Sequence, residues 1–504
     1  MNTPIQNEGA LSLIRSLGLA LKIQIPLIQE LSSAARSFCA YVKARLVVVA
    51  FSLILSTLAG CSGGGESSTP KAQGLSASAA PVTASAPAAP TPTPTVVKNE
   101  IPTDRPVLYW LDELFPSKEF SGMRSLIHGA KDLPSEKLIN CTVRVETNRS
   151  CNFSEIPLIG MDHSAPTVDQ IMSRVLVSHD WMATRMREIL ESMPAETLLM
   201  TRGISAIVIS YDIRPSFYYP LTSTIYIDPN SLWLTEEEQN TIDPAPDFRS
   251  EFGSELLFTV PWRYVAAGDK DIRALERNLD SVTLTTTSLF YHELAHANDY
   301  FPPESLDTID RNTAIQNLSV SPRSSLLSGT FPLQSRQMFD LAEVSFGGET
   351  ATINEITLTA EDIAYEFSAD VANDFYNYHT EREDFAMVFE EAMMLYSYGV
   401  NRDVAVTTLP QTSNDCADYI VAWGQRNRVS GSAIKPRALF AVTAVLPEIA
   451  DDVENLLDTY SPTQMRVGED YCSNIFLDAT RSRAMVSDTQ PRLQLTPETR
   501  LPYQ

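Results

Sequence analysis

Residues 290–303 read FYHELAHANDYFPP, and no other segment limits the folding of this chain more tightly. The paired prolines Pro302 and Pro303 stop any helix that reaches them. Ahead of them, apolar residues at three- and four-residue spacing predict a helix. The β-branched run SVTLTTT is poor helix material, so its secure part is expected over about 286–300. His292 and His296, two of only six histidines in 504 residues, then lie on one face, one turn apart.

Two imidazoles at that spacing can share one tetrahedral zinc ion. Glu293 lies roughly 100° further round the helix. It is placed to take a proton from an attacking water and return it to a leaving amine. The plain alternative is a surface helix carrying a histidine pair and a salt-bridging glutamate. A catalytic zinc also needs a third protein ligand. The metzincin pattern would put it six residues after His296, but that residue is Pro302. The thermolysin pattern would put a glutamate about twenty residues on, and none lies between Glu304 and Glu343. The third ligand must come from further away in the chain.

The chain is acidic, with a net charge of -25 and a pI near 4.6. That balance excludes a nucleic-acid partner, which needs a basic footprint. Near the start, Lys43 and Arg45 precede the 15-residue apolar run LVVVAFSLILSTLAG, which ends at Cys61. The run is short for a membrane span and has the layout of an export signal. Its end, Leu58-Ala59-Gly60-Cys61, resembles the bacterial lipobox. That resemblance implies cleavage before Cys61 and a lipid anchor on it, with an ordinary signal anchor as the alternative. Ser62 after the cysteine then implies sorting to the outer membrane, facing the periplasm. Residues 1–42 are unusual ahead of such a signal and suggest a true start near Val42.

Residues 61–103 are rich in Ser, Ala, Pro and Thr and read as a disordered tether. Four cysteines follow Cys61. In an oxidising compartment the simplest of three possible connectivities is Cys141–Cys151 with Cys416–Cys472. None sits in a CxxC pattern, which argues against a cysteine zinc site.

The mature body is expected to be α+β. Residues 104–198 read as a mostly helical leading segment, with one amphipathic helix over 168–193 and His179 as a surface or satisfied residue. ISAIVIS (204–210) and TIYIDP (224–229) read as two strands of one sheet. TSTIYIDP is the candidate edge strand for pairing with extended substrate, or equally a core strand. Helical patterns return over about 360–398 and 436–460, the latter broken at Pro447, after a loop-rich stretch from 304 to 355. A zincin-like domain is placed at 199–460 and a disulfide-tied tail at 461–504.

The later helix carries FYNYHTEREDFAMVFEEAMM, residues 375–394. With HELAH ahead of it, this resembles the catalytic domain of anthrax lethal factor and related gluzincins. The two short motifs and their order cover about a tenth of the chain. The resemblance implies a zincin-like fold and zinc-dependent peptide hydrolysis. Glu383, in EDFA, would be the third zinc ligand. Tyr376, seven residues earlier, would stabilise the oxyanion. Two features depart from the family: Met387 stands where an acidic residue closes the motif, and 87 residues separate His296 from Glu383. Asp299 could orient a ligand histidine, or be a solvated helix-end acid. Thr380 to Glu383 also spells a capping box, in which Glu383 would reach back to its own helix terminus. Glu366 with Asp370, and Glu390 or Glu391, are rival ligands. The expected substrate is a peptide or protein segment, without separation from a cell-wall peptide. The alternative is a non-catalytic outer-membrane lipoprotein that binds or assembles through a degenerate or structural site.

Overall fold

The computed structural model describes residues 126–127, 135–143, 150–318, 320–477 and 495. Cys61, the export signal and the tether lie outside the described residues. The architecture is α+β, and two sheets flank a pair of helices that carry the site.

The first sheet contains β1 (Leu126–Ile127), β2 (Val175–Val177), β3 (Ala206–Ile209), β4 (Phe217–Tyr219) and β5 (Thr224–Ile227), in the order β1-β2-β3-β5-β4. Strands β2, β3 and β5 run parallel, and both outer strands are antiparallel to their neighbours. Parallel strands are covered on both faces, and the residues of these three are all buried. Alternation divides them between two cores. Val175, Val177, Ile207, Ile209, Ile225 and Ile227 face the core that includes the HELAH helix. Leu176, Ala206, Val208 and Tyr226 face a second core with Leu138, Phe153 and Phe301.

This sheet corrects three expectations. The segment 168–193 is not one helix. It forms α1 (Val168–Met172), then β2, then α2 (Asp180–Ser192). Pairing of Val175-Leu176-Val177 with Ile207–Ile209 outweighs the helical period around it. A boundary near residue 198 therefore cuts through a sheet. Of the two readings of TIYI, the core strand is the one found: it lies between β3 and β4, and the edge beyond it is FYY, within the segment taken as a connection. His179 caps no helix; its ring pairs with Ser178 Oγ at 3.0 Å and meets Tyr211 edge-on.

Helix α3 (Leu279–Tyr300) is longer than its propensities suggest. A reciprocal cap explains the start: Ser281 N–H donates to Asn278 Oδ1 and Asn278 N–H to Ser281 Oγ, each at 3.0 Å. Val282, Thr283 and Thr286 are buried, and that packing offsets a propensity cost of a few tenths of a kcal/mol per residue, to about 0.7. The helix ends at Phe301 before the two prolines, as expected. The loop-rich stretch holds α4 (Arg323–Thr330) and α5 (Arg336–Ser345). The pattern over 360–398 resolves into α6 (Ala360–Ala369), a tight turn at Tyr376–Tyr378, and α7 (Glu381–Tyr398). Helices α8 (Lys435–Val445) and α9 (Ala450–Leu457) are separated at Pro447. No helix among the described residues is long and apolar enough to cross a membrane.

A second, antiparallel sheet was not foreseen. It has the order β11-β10-β9-β7-β8, with β6 also on β9. Its members are β6 (Phe258–Thr259), β7 (Trp262–Ala266), β8 (Lys270–Asp271), β9 (Asn401–Thr408), β10 (Val421–Arg426) and β11 (Thr463–Gln464). Strand β9 begins NRD, which looks like a loop. Yet Arg402 and Asp403 are buried and paired: Asp403 accepts from Arg263 at 2.9 Å and from Arg426 at 2.7 Å, and Arg402 donates to Asp374 at 2.7 Å. Both disulfides have the simplest connectivity, Cys141–Cys151 and Cys416–Cys472.

The first turn of α7 is tied to α8 by a buried ion pair. Arg437, with no exposed surface, pairs with Asp384 and donates to the carbonyls of Val371 and Phe331. Asp384 also accepts from Asn377 at 2.8 Å. Arg437→Met leaves a buried carboxylate without its cation and should cost about 3–5 kcal/mol in urea unfolding. Arg437→Met with Asp384→Asn should cost clearly less.

Candidate metal centre

Helix α3 lies against α7, and their contact brings together residues far apart in sequence. His292 Nε2 lies 2.9 Å from Glu383 Oε2, and His296 Nε2 lies 3.3 Å from the same oxygen. The two Nε2 atoms are 3.1 Å apart, with the rings edge to face. Zinc bonds of about 2.0–2.1 Å at tetrahedral angles would set ligand atoms about 3.3–3.4 Å apart. Small outward movements of these side chains would reach that spacing, so the donor set fits a zinc ion. The described residues include one other close group of such donors, Asp415, Cys416 and Cys472, but its two sulfurs are joined in a disulfide.

Only half of the capping box forms. Thr380 Oγ1 accepts from Glu383 N–H at 3.1 Å and caps α7. The Glu383 carboxylate turns to the histidines instead, so the cap and the histidine contact do not compete. The rivals are occupied elsewhere. Glu366 accepts from Ser335 Oγ at 2.6 Å, and Asp370 accepts from the backbone of Gln334 and Ser335. Glu391 accepts from Asn373 Nδ2 and Val429 N–H.

The electrostatics follow from burial and from this one carboxylate. Burial acts to raise the Glu383 carboxyl, but the His296 charge and hydrogen bonds from both imidazoles hold it well below the usual range. Burial lowers His292 to about 4. Burial opposes charge on His296 too, but Glu383 outweighs it and pushes that imidazole up to about 8. A proton on His296 thus balances Glu383, and a cation bound by the three groups would displace it.

Glu293 is 4% exposed, and burial pushes its carboxyl up to about 7. His296 and the backbone amide of Tyr218, in the middle of edge strand β4, favour its charged form. Tyr376 stacks over His292, with ring centres 6.1 Å apart. Burial and the Glu383 charge hold its phenol protonated, so it is a donor. Glu293, Tyr376 and the three donors line one cavity of about 220 Å³. Its other walls include Phe217 and Tyr218 of the edge strand, Arg249, Phe346 and His379.

Asp299 is fully buried and accepts from Ser324 N–H at 2.6 Å and Ser324 Oγ at 2.8 Å, which fixes the start of α4. It touches no histidine through a hydrogen bond; its charge acts on His296 through space. The carboxylate behind His292 is Glu390, with Oε2 3.9 Å from His292 Nδ1. Its other oxygen accepts from Ser288 Oγ at 2.6 Å and Tyr264 OH at 2.7 Å. Met387, one turn before Glu390 on α7, is buried in the apolar core.

Of the wall residues, the sequence singled out only His292, Glu293, His296, Tyr376 and Glu383. His379, four before Glu383, could have been found as one of six histidines. Arg249 and Phe346 carry no local signal. In comparisons with known protein families, curated proteins and solved structures, the chain matches none of them.

The half-formed cap makes a separable prediction. Thr380→Ala should cost about 1 kcal/mol in urea unfolding, while Thr380→Ser should be close to neutral.

Proposed function

We propose that this chain is a zinc metallopeptidase of gluzincin type, with a zincin-like arrangement of sheet and HELAH helix. The observation that carries the proposal is the convergence of His292, His296 and Glu383 with Glu293 and Tyr376 on one cavity. His292, His296 and Glu383 would hold a zinc ion, which would supply Lewis acidity for a peptide carbonyl and for the ionisation of a water. Glu293, in an environment that holds its proton affinity near neutral, takes the proton of the attacking water and passes it to the leaving amine. Tyr376 donates from its phenol to the oxygen that becomes negative in the tetrahedral transition state. Glu390 stands behind the His292 ring, Oε2 being 3.9 Å from Nδ1, close enough for its charge to act on the imidazole. The edge strand Phe217–Tyr219 borders the cavity and offers main-chain groups to an extended peptide or protein segment.

The two disulfides and the lipobox support a place in the bacterial cell envelope. There a lipid on Cys61 would anchor the enzyme to the outer membrane, facing the periplasm. Met387 does not favour the non-catalytic alternative, because Glu390 offers a buried carboxylate behind His292.

Glu293→Gln should reduce hydrolysis of an unfolded protein substrate by about 10²–10⁴-fold, and it should retain zinc. Unchanged hydrolysis, with the wild type bearing zinc, would sink the proposal. Separately, Glu390→Gln should weaken zinc about 10–100-fold in a competition titration with a chelator, whereas Glu366→Gln should leave it unchanged.

A further inference from the structure

Among the described residues, Arg249 is the one arginine or lysine on the wall of the candidate metal-centre cavity. It also lines a neighbouring cavity of about 50 Å³ walled by Leu256, Phe258, Val260 and Phe375, and Phe346 is likewise shared between the two. Arg249 therefore stands where the reaction site meets a second, mixed polar and apolar recess. It is held rigidly. Asp247, fully buried at its side chain, accepts from Arg249 Nη2 at 2.8 Å and from Nε at 3.2 Å. It also accepts from the Arg249 backbone N–H at 2.8 Å.

One side of the fork is thereby used, and no described residue accepts from Nη1. The side chain is only 10% exposed. Nη1 keeps some accessible surface, so an acceptor on a ligand in the cavity can reach it and form a charge-assisted hydrogen bond. A planar fork with two adjacent N–H directions matches a carboxylate, which can take both; a neutral carbonyl cannot match it equally. The net charge of -25 repels anions at long range, so preference for one must come from local contact such as this.

We infer that Arg249, positioned by Asp247, is a specificity residue that binds a carboxylate of the substrate beside the scissile bond. This rests on the metallopeptidase reading for the nature of the ligand. The carboxylate belongs either to the peptide's C-terminus or to an acidic side chain, and the two are separable.

The test is peptide binding without turnover. Three fluorescent peptides of one neutral sequence are titrated by anisotropy against zinc-loaded Glu293→Gln protein. One has a free C-terminus, one an amidated C-terminus and a central glutamate, and one neither. At least one anionic peptide should bind about 10–100-fold tighter than the neutral one, the scale of a charge-assisted hydrogen bond. Which one does so identifies the source. Adding Arg249→Gln should erase the difference and leave neutral-peptide binding unchanged. Should that substitution unfold the protein by stranding Asp247, Asp247→Asn with Arg249→Gln removes both charges and gives the same readout. Equal binding of all three peptides, a preference that survives loss of Arg249, or equal weakening of all three would overturn the inference. A protein that discriminates through Arg249 but cleaves nothing contradicts the peptidase reading alone. An active protein without carboxylate preference contradicts this one alone.

Discussion

One carboxylate oxygen, Glu383 Oε2, lies within hydrogen-bonding distance of two imidazoles from another helix, and the site depends on that contact. It joins residues 91 and 87 positions apart and fixes how the start of α7 meets the middle of α3. Once that contact is set, Glu293 is carried into the same cavity by its place after His292. Tyr376 is carried in by the tight turn that leads into α7. Three groups that would otherwise repel or pay for burial are satisfied together, because each supplies what its neighbour lacks.

Beneath the site lies an unusual amount of buried charge. Arg402 bonds Asp374 and approaches Glu390 at 3.6 Å; Arg437 holds Asp384; Asp403 sits between Arg263 and Arg426. Such pairs add little net stability over an apolar core, because desolvation offsets attraction. Their geometric demand is more telling. Each member must meet its partner from a different element, so the second sheet, α7 and α8 can pack only in the register that satisfies all of them. Glu390 shows the consequence. It is fixed by Tyr264 and Ser288 and held behind His292. Positional accuracy at the proposed metal site would require that kind of support.

The parts legible in the sequence were those whose physics is local. The histidine pair needs only the helical repeat. The end of α3 needs only two prolines, and the strands at 206–209 and 224–227 need only short β-branched runs. Cysteine spacing was enough to favour the observed disulfide pairs. The Glu383 contact came through a family resemblance, since no spacing rule links residues so far apart. What was missed depends on tertiary partners. Strand β2 hides in a helix-like pattern because its pairing is with β3. Strand β9 hides behind charges that only tertiary partners neutralise: Asp403 by Arg263 of β7 and Arg426 of β10, and Arg402 by Asp374. The edge strand FYY lies in a proline- and aromatic-rich stretch, and Asp299 and Glu390 cannot be ranked until the helices are packed. Arg249 is one arginine in a polar segment until two cavities are seen on either side of it.

In the proposed enzyme, two imidazoles from α3 and a carboxylate from α7 form one zinc shell. Zinc-edge X-ray absorption on the protein loaded with one equivalent of metal tests it most directly. The spectrum should show only nitrogen and oxygen neighbours at about 2.0–2.1 Å, with the outer-shell scattering of two imidazoles. A sulfur neighbour at about 2.3 Å, a single imidazole, or failure to retain zinc would contradict the account.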